Sequence, residues 1–212
     1  EGGMVTCNKK EDYDILFALR SHGWLGGTRF YKRNLKSYNT YAKQNPKLDP
    51  RYIFINSGFN LRPTDIQAAI AHNQFKRLDT LKKFRNINKN LIIEKISNSK
   101  KWKNQFKFIV TPKDIDPSWM GLPILLSEKY MKKKQKFVNF LDNQGIETRP
   151  IISGNFANQP AAKLYKLCKK NEKFENAQKV QELGFLIGLH TKKLSKKNLD
   201  LIHDSFFMID NI

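Results

Sequence analysis

Cysteine is scarce in this 212-residue chain, with only Cys7 and Cys168, far apart in the sequence. Two distant thiols supply no disulfide framework, so the chain is expected to be a cytoplasmic protein with reduced thiols rather than a stapled secreted domain. Long apolar runs are absent too: none approaches the roughly 18 residues of a membrane span, and no membrane insertion is expected. The opening EGGMVTCN shows no signal peptide. There is no HExxH helix, no glycine-rich nucleotide loop and no Ser-His-Asp signature. His22, His72, His190 and His203 show no ligand spacing, so no metal is expected. Disorder is excluded by what is present, since hydrophobic residues make up 40% and aromatics 12% of the chain, enough to bury a core.

Acidic residues are outnumbered. Lys and Arg total 39 against 19 Asp and Glu, a net charge of +20 with a pI near 9.9. Clustered cations bind phosphate backbones by counterion release, which raises a nucleic-acid-binding module as one function class. The distribution opposes it: the lysines form many short groups, such as Lys132 to Lys134 and Lys169 to Lys170, and Lys far outnumbers Arg, the residue suited to bidentate phosphate and guanine contacts. The charge is read as solvated lysine-rich faces, with no nucleic-acid partner.

Along the chain, residues 4 to 7 read as a strand. A domain seldom begins within an element, so preceding polypeptide is expected. EDYDILFALRSHG reads as a helix with Ile15, Leu16 and Leu19 on one side, stopped by Gly23. Residues 23 to 56 form a long Gly-, Tyr-, Asn- and Pro-rich loop, a length associated with function or partner binding. At SGFNLRPTDIQAAIA the helix-start signals converge. Pro63 precedes Thr64, and Thr64 and Gln67 have capping-box spacing. One helix is predicted from there to residue 97, with Ile66, Ala69, Ile70, Leu81, Phe84, Ile87 and Leu91 near one face; Asn73 and Arg77 interrupt it and face either a subunit partner or solvent. Farther on, FKFIV and GLPILL read as strands around the DIDPSW turn, KKQKFVNFLDNQG as a helix and IETRPII as a strand. Ser195 caps a last helix carrying Leu199, Ile202, Phe206 and Ile209. The expected domains are 1–97, including the long linking helix, and a small α+β domain over 98–212.

Two stretches concentrate candidate chemistry. A helix N-terminus offers unsatisfied N–H groups and a positive dipole end, so Asn60 and Arg62 near the predicted start at Thr64 suit an anion such as phosphate. Alternatively, Asn60 only tolerates a left-handed turn and Arg62 is solvated. In GIETRPIISGNFANQP, alternation puts Glu147, Arg149 and Ile151 on one face, followed by the polar loop Ser153, Gly154, Asn155, Asn158 and Gln159. Such a loop reads a polyhydroxylated or phosphorylated ligand, or equally saturates its own backbone. His22 beside Trp24, and His190 after FLIGL, either line a pocket or serve structure.

Six motifs, EGGMVTCN, LRSHGW, SGFNLRPTDIQAA, DPSWMGLPI, GIETRPIISGNFANQP and GFLIGLHT, resemble in content and order the DegT/StrS family of sugar aminotransferases, and the resemblance spans essentially the whole chain. The last four are most similar to the NDP-4-keto-6-deoxyhexose 3-dehydratase branch. The resemblance implies an α/β chain forming the C-terminal part of a fold-type I transferase: the end of the large domain plus a small α+β domain. It implies pyridoxal 5'-phosphate or pyridoxamine 5'-phosphate as cofactor, a homodimer with sites between subunits, and a nucleotide-diphosphate-sugar substrate in deoxysugar or lipopolysaccharide biosynthesis. The family's cofactor lysine, a histidine in the dehydratase branch, lies upstream of the EGG turn, so the catalytic residue is expected before Glu1 and the isolated chain is expected to be inactive. Asn60 matches the residue that reaches the partner's cofactor phosphate. Arg149, Asn155 and Gln159 match sugar-nucleotide contacts, and His22 and Trp24 match a loop near dimer and substrate. The implied reaction uses the cofactor ring as an electron sink; a lysine favours amino transfer, and a histidine favours loss of the carbon 3 hydroxyl. Dehydration is the expected activity, sugar amino transfer the close alternative, and a non-catalytic dimerisation remnant another.

Overall fold

A computed structural model describes residues 2–25, 35–169 and 172–212. The chain divides into two units, Glu1–Lys76 and Arg77–Ile212. This division differs from the boundary expected at residue 97. The physical reason is packing: Ile92 and Ile96 of the linking helix are buried in the core of the second unit.

The first unit holds α1 (Lys10–Leu19), α2 (Leu35–Gln44) and α3 (Asp65–Phe75). Residues 4 to 7 are not a strand, for no neighbouring edge among the described residues pairs with them and Met4 stands 97% exposed. The loop expected over 23–56 lies partly outside the described residues; where described, it contains α2 and a 3-10 turn, Pro50–Tyr52. A small core forms where Leu25 and Ile53 meet, with Phe17, Ala42 and Ile55 against them. The predicted capping box is present: the Thr64 hydroxyl accepts from the Gln67 amide while Gln67 accepts from the Thr64 amide. The helix does not run unbroken to residue 97. It stops after Phe75, and Arg77 turns the chain at φ −102°, ψ −3° before α4 (Leu78–Ser97). Neither Pro nor Gly marks that break; its trace in the sequence is the interruption of the apolar stripe at Asn73 and Arg77.

The second unit adds β1 (Phe106–Phe108), β2 (Gly121–Leu126), α5 (Lys134–Asn143), β3 (Thr148–Arg149), α6 (Pro160–Leu164), α7 (Glu175–Leu183), β4 (Gly184–Gly188) and α8 (Lys196–Phe207). The strands form one antiparallel sheet in the order β1-β2-β4-β3. Period-two alternation puts Leu122, Ile124 and Leu126 on one face, and the register sets Ile124 opposite Phe185 and Leu122 opposite Ile187. Onto this apolar face pack Ile92 and Ile96 of α4, Phe137 and Leu141 of α5, and Phe206 of α8. Phe137 lies edge-on to Phe185 and Phe206, with centroids 5.9 and 6.0 Å away, geometry that the ring quadrupole favours. IETRPII supplies only a two-residue strand, because Pro150 lacks the N–H that would continue the ladder.

Candidate functional site

On the first unit, α1 ends in a tight turn that is laced to residues 53–61. Gly23 takes φ +80°, and its amide returns to the Ala18 carbonyl at 2.8 Å. The Phe59 amide donates to the Leu19 carbonyl, His22 to Phe59 and Leu61 to Arg20, at 2.7, 2.7 and 2.9 Å. Two glycines permit this approach: a Cβ on Gly23 would fall 1.8 Å from the Asn56 carbonyl oxygen, and one on Gly58 would fall 2.1 Å from the Gly23 nitrogen.

Asn60 sits in this lacing, bridged to Ser21 through the backbone. Its main chain is therefore fixed. Its carboxamide is exposed and makes no hydrogen bond to any described residue. His22 is held nearby in a left-handed conformation, φ 63°, with its ring exposed. Trp24 differs: its indole N–H donates to the Arg51 carbonyl at 2.7 Å, which ties residues 51–54 to the turn. Beside it, Arg51 hydrogen-bonds Asp49 and holds that carboxyl down to about 2.

The tip of α3 is partly occupied by its own residues. The Gln67 amide of α3 is already taken by Thr64, and Asp65 places a negative charge in the first turn. A phosphate would meet a tip that is capped and partly neutralised, and Asn60 lies four positions upstream of the cap. The exposed carboxamide is a second feature suited to an anion.

On the second unit, Arg149 points two guanidinium donors, Nε and Nη2, at one oxygen of Glu147, 2.9 and 2.8 Å away, on an exposed surface. Such a pair is worth about 0–1 kcal/mol and yields readily to a better anion. Asn155 behaves otherwise. It is 7% exposed; its amide nitrogen donates to Gln178 at 3.0 Å and its oxygen accepts from the Ala157 amide at 3.2 Å. The side chain thus hydrogen-bonds within its own loop and to α7. Asn158 joins the same network through Gln178 and Gln181. Gln159, half-buried, makes no side-chain hydrogen bond among the described residues. Asn155 and Asn158 also form one wall of an open cavity of about 970 Å³, continued by residues of α6 and α7 and, between them, by Lys166, Cys168, Lys169 and Glu172 to Phe174.

His190 serves structure: its Nδ1 accepts from the Lys192 amide at 3.0 Å. Sequence reasoning missed a line of three groups in which His203 joins Ser99 through Nε2 at 2.9 Å and Asp204 through Nδ1 at 2.8 Å. Ser99 follows the C-terminus of α4, where carbonyls rather than N–H groups are presented, so no oxyanion would be stabilised there. With the Lys95–Asp200 ion pair at 2.7 Å, the line clamps α8 to α4. Its partners lie more than a hundred residues apart, beyond any local motif.

Helices and sheet make this a mixed helix-and-sheet segment, and the solved structures it resembles are cofactor-dependent enzymes. Residues 1–206 match the DegT/DnrJ/EryC1/StrS aminotransferase family, and the chain belongs to it. A GDP-4-keto-6-deoxy-D-mannose 3-dehydratase of Yersinia pseudotuberculosis is 30% identical over 206 residues, 94% of this chain and 48% of the relative. A UDP-4-amino-4,6-dideoxy-N-acetyl-beta-L-altrosamine transaminase of Campylobacter jejuni is 25% identical over 214 residues, 99% of this chain and 48% of the relative. The solved Escherichia coli GDP-4-keto-6-deoxy-D-mannose-3-dehydratase with bound hydrated PLP superimposes with a TM-score of 0.71 at 25% identity, covering 93% of this chain and 48% of that one. The chain thus spans about half the length of the relatives it matches. The expected fold class holds, and a nucleic-acid-binding module is not favoured. Among the described residues, no helix is long and apolar enough to cross a membrane.

Proposed function

We propose that this chain contributes to a cytoplasmic, homodimeric enzyme that uses pyridoxal or pyridoxamine 5'-phosphate and dehydrates an NDP-4-keto-6-deoxyhexose at carbon 3. One observation carries the reading: Asn60 combines a backbone fixed by the Ser21 bridge with an exposed carboxamide that no described residue uses. Preorganisation of that kind lowers the ordering cost of a ligand contact. The amide would donate to the cofactor phosphate of the partner subunit. When bound, the cofactor supplies an electron sink for the carbanion formed beside the sugar carbonyl.

The other residues take graded roles. Arg149 would exchange Glu147 for a substrate anion, and Gln159 would offer its free carboxamide. His22 would stand beside Asn60 at the turn. Asn155 and Trp24 act by position: one holds the polar loop and the other ties down residues 51–54. Asn60, Arg149 and Gln159 bind and orient but provide no proton acceptor for carbon 3, so the 212-residue chain alone is expected to be inactive. Similarity to the Campylobacter transaminase keeps sugar amino transfer as the second reading.

The test is cofactor affinity, measured by ³¹P NMR titration with pyridoxamine 5'-phosphate. Asn60→Ala removes one hydrogen bond to a charged group, and a weakening of about 10- to 100-fold is expected. Asn60→Asp, which sets a carboxylate against a dianion, should weaken binding further. Wild-type affinity in both variants would contradict the proposal.

A further inference from the structure

One face of α4 lies against the segment that joins β1 to β2. Lys82 pairs with Asp116, the Asn86 side-chain amide donates to the Pro117 carbonyl at 3.4 Å, and Lys89 donates to the Thr111 hydroxyl at 3.4 Å. Positions 82, 86 and 89 share that face by helical spacing, and Arg85, three residues after Lys82 and four before Lys89, falls among them. Arg85 and Lys89 find little there to neutralise them. Lys89 is only 9% exposed, yet its ammonium has one long hydrogen bond and the Trp119 ring, whose centroid is 5.5 Å away. The Nε of Arg85 is buried with no hydrogen-bond partner, and neither cation pairs with a carboxylate among the described residues.

Taking an ammonium out of water costs more than a stretched hydrogen bond and one aromatic face return, and like charges one helical turn apart repel. An anion between the two cations removes both costs. The donors at hand suit one. Lys89 keeps two N–H groups beyond the one given to Thr111, Arg85 keeps its Nε–H, and the Thr111 hydroxyl, which accepts from Lys89, still has its own proton to give. The acid on the facing segment that touches this helix face, Asp116, is held by Lys82.

We propose that Arg85, Lys89 and Thr111 form a binding site for a small tetrahedral dianion of the phosphate class. Two cations match its two charges, and four donors match oxygens that point to more than one side, which a planar carboxylate monoanion does not offer. Because Thr111 belongs to the segment between β1 and β2 and the two cations to α4, the bound anion ties that segment to the helix.

The test is a titration with inorganic phosphate at fixed ionic strength, balanced with chloride and read by the fluorescence of Trp119. The parent chain carries Trp24→Phe, which silences the first unit, and Asn60→Ala, which removes the contact proposed for the cofactor phosphate. It should show a saturable change, with Tm raised by about 3–6 °C at about ten times the Kd. Arg85→Met and the nearly isosteric Thr111→Val should each weaken phosphate about tenfold. Lys89→Met should abolish the response and, without phosphate, hold or raise Tm, because an unpaired buried charge has gone. A fall of more than about 3 °C in Lys89→Met without phosphate would mean that Thr111 and Trp119 already satisfy the ammonium, and would overturn the site. No response in the parent chain, or an equal response in all variants, would overturn it too, the latter marking general screening of an exposed cationic surface. Acetate as effective as phosphate would overturn the dianion class.

Discussion

Asn88 is a polar residue in the middle of α4 with no exposed surface, and replacing it should cost more than replacing many apolar neighbours. Its amide nitrogen donates to the carbonyls of His190 and Lys192 at 2.9 and 2.8 Å, and its oxygen accepts from the Leu194 amide at 2.9 Å. One side chain thus fastens the segment between β4 and α8 to α4. Asn88→Ala strands three backbone groups. Each buried group left unpaired costs about 1–3 kcal/mol, and the two carbonyls, near exposed His190, recover part of that from water. The net loss should be about 3 kcal/mol. Asn88→Asp is nearly isosteric but turns a carboxylate oxygen towards two carbonyls, so it should be at least as damaging. Urea unfolding followed by Trp102 and Trp119, both packed on this core, reports on the second unit, with Trp24→Phe as background to silence the first. With m of about 2 kcal/mol per M, the midpoint should drop by roughly 1.5 M. A change below about 0.5 kcal/mol for both variants would refute the clip.

Gly58→Ala should open the first unit's lacing: its Cβ would meet the Gly23 nitrogen at 2.1 Å and the His22 carbonyl carbon at 2.5 Å, and hydrogen exchange should accelerate at the Phe59 and Leu61 amides. Unchanged exchange would contradict the tight approach. Asp210 accepts hydrogen bonds from Tyr130 and Gln105, and chiefly the Tyr130 bond lowers its pKa below the ordinary 3.8. A carboxyl depressed on folding adds stability that is present above the unfolded value and lost as pH falls through the folded one. Thermal stability should therefore decline below about pH 4, with a shallower decline in Asp210→Asn; parallel curves would contradict the assignment.

The parts legible in advance were those coded locally. Thr64 and Gln67 announced the start of α3 through a reciprocal cap, Ser195 announced α8, and alternation in GLPILL announced β2. What escaped was decided by long-range partners. The stripe through Ile87 and Leu91 was displaced to Asn88, Ile92 and Ile96 because loop carbonyls a hundred residues away satisfy Asn88. β4 escaped because GFLIG is a short continuous apolar run that alternation cannot resolve. At the candidate site, the residue types of Asn60 and the 153–159 loop were visible, but not their state. Only the fold shows that the Asn60 carboxamide makes no hydrogen bond to a described residue while that of Asn155 is engaged.

The most direct test is a crystal structure of the chain with pyridoxamine 5'-phosphate. The account predicts the phosphate within hydrogen-bond distance of an Asn60 carboxamide contributed by a second copy. A phosphate bound elsewhere, with Asn60 facing solvent in the complex, would contradict it.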